Sequence, residues 1–154
     1  MTFYALVLFT HSYVRWLVLA MALTVLIRSL VGWQRGSPWT SADEKWHAAF
    51  VGIVDLQFTL GLLLYVWLSP VSWAFFGDVG GSMKDPMLRF FGIEHIVGMI
   101  VAVTVIHIAR DRSRHAASDR LRHRKVWIST LVAILIVAAS IPWPVLSYAR
   151  PLFR

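Results

Sequence analysis

The chain has 154 residues, a formal charge of +7 and a mean hydropathy of +0.64; 58% of its residues are hydrophobic and only 15% charged. A soluble domain of this size carries nearer a quarter charged residues, so a water-soluble monomer is excluded, and the length leaves room for one compact unit. There is no cysteine, which excludes disulfides, thiolate zinc sites, cysteine-ligated iron–sulfur clusters and the thioether attachment of a c-type haem.

Four apolar runs are long enough to cross a bilayer, which takes about 20 residues each. They predict spans at about 5–30, 46–68, 89–109 and 125–146. The first is interrupted only by His11, Arg15 and Arg28 and lacks a basic leader. It is followed by Trp33-Gln34-Arg35 rather than a small-residue cleavage site, so it is expected to be retained. The second carries Asp55 and Gln57, and the third Glu94, His95 and His107. The fourth holds no ionisable side chain and ends at Ser140-Ile141-Pro142-Trp143-Pro144, where proline stops a helix. In lipid the backbone must satisfy its own hydrogen bonds, and none of the runs alternates as a barrel strand would. The prediction is an all-α integral membrane protein: one transmembrane domain over residues 1–154, built as a four-helix up-down-up-down bundle.

The connections between spans one and two and between spans three and four hold ten Lys and Arg residues, against four on the opposite side. The basic side is expected to be cytoplasmic, which puts both termini on the outer, periplasmic side. The positive charge is thus a topology signal, compatible with anionic lipid head groups; nothing further supports nucleic acid. Tryptophans agree: Trp33, Trp39, Trp46 and Trp127 fall near the inner interface, and Trp67, Trp73 and Trp143 near the outer one. The glycines of Gly77-Asp78-Val79-Gly80-Gly81 lack the Gly-Lys-Ser/Thr ending of a phosphate loop.

Ionisable groups at membrane depth cost about 2.5–3.5 kcal/mol each, so they face the interior and pair. Here they are His11, Arg15, Asp55, Glu94, His95 and, nearer an edge, His107. His11 lies 17 residues from Arg28 and His95 lies 15 from Arg110, which at about 1.5 Å per residue sets them within roughly 3 Å of one level. On diagonal helices of a bundle they form an axial pair for haem b, with Gly98 and Ala102 leaving room for a flat macrocycle. His47 and His107 share a level nearer the basic end and form a candidate second site.

Two other readings use the same residues. His11 and His95 with Glu94 or Asp55 would make a zinc, copper or non-haem iron site, although adjacent Glu94 and His95 point about 100° apart. Alternatively, Arg15 neutralises Glu94 or Asp55 in a cofactor-free accessory subunit. Oligomeric state has no signature, since Ala48/Gly52 and Gly98/Ala102 are common small-residue steps.

Several segments also carry a likeness: His11-Ser12, Arg15-Trp16-Leu17-Val18-Leu19, Ser82-Met83-Lys84-Asp85-Pro86-Met87-Leu88-Arg89-Phe90-Phe91, Glu94-His95 and Ser140-Ile141-Pro142-Trp143-Pro144. With these the chain resembles a family of small four-helix bacterial membrane proteins labelled cytochrome b or cytochrome b-like. The resemblance implies a bacterial inner-membrane electron carrier with haem at His11 and His95. Arg15 would balance propionate charge, and a quinone or a redox subunit would be the partner. In that pattern histidine can stand where this chain has Asp55.

Overall fold

The computed structural model describes residues 2–149 and 151; it is helical apart from its connections and the residues after Ala139, with no strand among the described residues. α1 covers Phe3–Arg35, α2 Ser41–Leu63, α3 Pro70–Gly77, α4 Val79–Ser82, α5 Pro86–Arg89, α6 His95–Arg114 and α7 Asp119–Ala139. Two π-turns, Leu64–Leu68 and Phe90–Glu94, extend α2 and lead into α6.

The starts and stops follow from local chemistry. Thr2 accepts from the Ala5 amide at the head of α1. Gly36, with φ of 63°, closes the tail in the left-handed conformation that glycine adopts freely. At α2, Thr40 and Asp43 form a reciprocal capping box. Asp43 also takes two bonds from Arg28 of α1, at 2.7 and 3.1 Å, tying the two helices together just after their connection. Asp85 caps α5 ahead of Pro86, and Ser118 caps α7.

Three of these stretches, Phe3–Arg35, Ser41–Leu68 and Pro86–Arg114, are long and apolar enough to cross a membrane. α7 differs from the other three. Arg120, Arg122, Arg124 and Lys125 occupy its first two turns, and its helix ends at Ala139, short of the expected 146. The 14 apolar-rich residues Val126–Ala139 span roughly 21 Å at 1.5 Å per residue.

α1 packs along α2 and α7, and α6 packs along α7, while α2 and α6 meet only sparsely. α1 and α6 therefore face each other across the group. Val18, Ala22, Val25, Phe50, Val51, Val54, Ile106, Val126 and Ala133 form the core, toward the basic end. Large apolar side chains such as Leu17, Leu23, Ile27, Val97, Ile100 and Leu135 point outward. Large apolar side chains on the outer faces of long helices are what a lipid solvent accommodates.

At the other end, α3 folds back against the second π-turn. Phe75 is buried there against Gly92, where any Cβ would overlap its ring. The Tyr65 hydroxyl, in the first π-turn, donates to the Gly92 carbonyl in the second at 2.7 Å. The irregular ends of α2 and α6 are thereby joined just above His95.

Candidate cofactor site

His11 of α1 and His95 of α6 face each other with ring centroids 6.5 Å apart and planes inclined at 76°. The two histidines and Arg15 line both of two adjoining cavities, of about 100 Å³ and about 340 Å³. The smaller cavity runs toward the basic end between Val18, Ala22, Phe50, Val54 and Ile106. The larger opens toward Tyr4, Leu8, Ser69 and Phe91.

Each imidazole has a partner: Ser140 for His95 and, in the wall of the smaller cavity, Gln57 for His11. His95 Nδ1 lies 2.7 Å from the Ser140 carbonyl. A carbonyl only accepts, so Nδ1 carries the proton, and Nε2 of the neutral ring keeps its lone pair. Phe90 and Phe91 flank the ring at 5.8 and 6.1 Å. Close contact also fixes this corner: Gly98 faces Ser140, and a Cβ there would overlap the Ser140 hydroxyl.

On the other side, the Gln57 amide nitrogen donates to the His11 carbonyl at 3.1 Å and lies 3.3 Å from His11 Nε2. Reversing the amide would set its oxygen against that carbonyl, so the nitrogen faces His11, and Nε2 is again the lone-pair atom. His11 Nδ1 and Gln57 Oε1 are left buried without hydrogen-bond partners among the described residues. Gly61 makes room for the ring, since a Cβ there would stand 3.1 Å from its Cε1.

The carboxylates are turned elsewhere. Glu94 pairs with Arg89 at 2.8 Å on an exposed face. Asp55 pairs with His107 at 2.7 Å, both side chains about half exposed (47% and 49%). The structure therefore brings His11, His95 and Arg15 to one cavity and leaves Asp55 and Glu94 with other partners. No group of three or more His, Asp or Glu side chains converges as a metal site among the described residues. His47 is buried, with the Trp39 ring 6.1 Å away, while His107 is engaged by Asp55.

Two contributors to the site, Gln57 and Ser140, escape sequence reading, as does one buried residue away from it, His123. Gln57 stands out only as a polar residue in a span. Ser140 acts through its backbone, which carries no residue-type signal. His123 sits in an arginine-rich stretch yet is 1% exposed, packed 4.8 Å from Trp39 and against Gly32.

No protein-family model, curated protein or solved structure matches this chain.

The donor set suits a metal held by two imidazoles. A metal–imidazole bond of about 2.0–2.1 Å on each side of one ion puts the ring centroids on the order of 6 Å apart; here they are 6.5 Å apart, with His11 Nε2 turned to Gln57. A histidine whose Nδ1–H is fixed by a backbone carbonyl is the form in which Nε2 binds metal, and the bond raises its basicity.

Proposed function

We propose that this chain is a four-span membrane electron-transfer protein of the b-type cytochrome kind, binding haem b between His11 of α1 and His95 of α6. The observation that carries the reading is the pair itself. The two imidazole centroids stand 6.5 Å apart across the helices, a separation that one ion between them would span, with the proton of His95 committed to the Ser140 carbonyl. Bound haem would supply one-electron redox chemistry at its iron.

The chain's own residues would do the rest. His95 is held in a single tautomer by Ser140. His11 would exchange its 3.3 Å contact with Gln57 for the ligand bond. The Arg15 guanidinium, on the wall of both cavities, would meet a propionate carboxylate. The apolar walls exclude water and keep the charged form of the site costly, which tunes its potential.

In this reading α7 also crosses the bilayer, its apolar run completed by the buried Ile141 and Pro142. The ten-charge side faces the cytoplasm of a bacterium, both termini face the periplasm, and the electron partner is a quinone or a redox subunit.

A reduced-minus-oxidised absorption spectrum of the detergent-purified protein, with elemental analysis of the same sample, tests this. A b-type α-band with about one iron per chain is expected. His95→Ala and His11→Ala should each remove it, and His115→Ala, in the exposed connection between α6 and α7, should not. Haem retained by the His11→Ala, His95→Ala double variant would sink the assignment. A colourless protein with stoichiometric zinc, copper or iron would replace haem by a bare metal at the same pair. A colourless, metal-free protein would leave an accessory subunit.

A further inference from the structure

At the basic end of the helices three arginines share one carboxylate. Glu44 of α2 accepts from Arg122 of α7 at 2.5 Å, and from Arg110 and Arg114 of α6 at 3.3 and 3.5 Å. Neighbouring Asp43 offers these arginines nothing, because Arg28 and Thr40 already bond it. Three guanidiniums against one carboxylate leave a local charge of +2, and the cluster is not freely hydrated: the Arg110 and Arg122 side chains are 17% and 21% exposed.

Unused donors accompany the unbalanced charge. Arg110 Nη1 and Arg122 Nε are buried without hydrogen-bond partners among the described residues. The Arg122 guanidinium lies over Trp39, 4.4 Å from the ring centroid, which holds its fork in one plane. Arg114, half exposed, leaves one side of the group open. Like charges desolvated together, with donor capacity to spare, call for an anion. A guanidinium fork matches phosphate oxygens two at a time. Trp33 and Trp127, with rings 5.5 Å apart, and the half-exposed Trp46 lie at this same end, where tryptophan marks the interface.

We infer that Arg110, Arg114 and Arg122 form a phosphate-binding site between α2, α6 and α7, whose ligand is a phosphate-bearing anion. A lipid head group and free phosphate share that chemistry; a lipid is reached directly from the interface. The inference does not depend on haem.

The test is the thermal unfolding midpoint of the full chain in nanodiscs of phosphatidylcholine, with and without phosphatidylglycerol. Phosphatidylglycerol should raise the midpoint. Arg110→Gln and Arg122→Gln should each lose that rise, and Arg120→Gln, an exposed arginine on the same end, should keep it. Should the two site variants not fold, Glu44→Gln serves, because it raises the local charge to +3 and should enlarge the shift. In detergent, inorganic phosphate that stabilises the wild type but not Arg122→Gln identifies free phosphate as the ligand. Phosphatidylglycerol acting where phosphate does not identifies a lipid. Equal midpoints in both nanodiscs together with no response to phosphate, or a shift that Arg120→Gln removes as fully as Arg122→Gln, would overturn the site.

Discussion

At the scale of single residues, the orientation of His95 is set by atoms that are not side chains. The Ser140 carbonyl fixes its tautomer, and Ser140 packs closely against Gly98, where a Cβ would overlap its hydroxyl. Gly98→Ala should therefore overpack this corner, destabilising the protein by about 1–3 kcal/mol. Removing the overlapped hydroxyl with Ser140→Ala should relieve much of that cost. Denaturation of both single variants and the double variant in mild detergent measures the coupling. Strictly additive effects would mean that the Gly98–Ser140 contact is not the cause. Glu94 teaches the complementary lesson: next in sequence to His95, it points away from the cavity and meets Arg89 instead.

At the scale of elements, the two π-turns decide how the site end is built. A π-turn inserts an extra residue into a helix, which rotates the residues beyond it and leaves backbone groups out of the regular ladder. The Gly92 carbonyl lies inside the second π-turn and accepts from the Tyr65 hydroxyl of the first. Tyr65→Phe removes that donor while keeping the ring. It should cost about 1–3 kcal/mol, the penalty for an acceptor left without its partner. The loss should appear as a lowered unfolding midpoint and as faster proteolysis between α3 and α5, since Phe75 docks against the same glycine. An unchanged midpoint would mean that water replaces the hydroxyl at no cost. At the opposite end, the capping box at Thr40 and the Arg28–Asp43 bond let a short connection turn the chain from α1 into α2.

For the whole molecule, the central question is how many times the chain crosses the bilayer. Three helices are sufficient by length and apolarity, and α7 has the packing partners of a fourth without the uninterrupted apolar length. The absence of cysteine makes the test direct. Single cysteines at Gln34 and Ala117 should react with an impermeant maleimide from one side of the membrane, and cysteines at Gly80 and Ser147 from the other. Ser147→Cys reacting from the same side as Ala117→Cys would show that α7 does not cross. The sparse contact between α2 and α6 belongs to this scale too. There the Asp55–His107 pair bridges the two helices with both side chains about half exposed, a polar contact only weakly shielded by its neighbours.

Read alone, the chain determined its solvent, its helical character, the runs that become α1, α2 and α6, and the short set of polar residues that needs explaining. These are sums over local composition, and lipid leaves helices as the form such runs take. It also set His11 and His95 at one height, because counting 1.5 Å per residue from a basic end holds along any unbroken helix. Partner choice was settled only in three dimensions. Asp55 of α2 meets His107 of α6 at 2.7 Å, a pairing that no count along either helix singles out. The end of α7 at Ala139, the Gln57 contact, the Ser140 carbonyl and the three arginines on Glu44 likewise depend on helix rotation, tilt and π-turns. Those quantities arise from packing among all the helices at once, so no window of the sequence contains them.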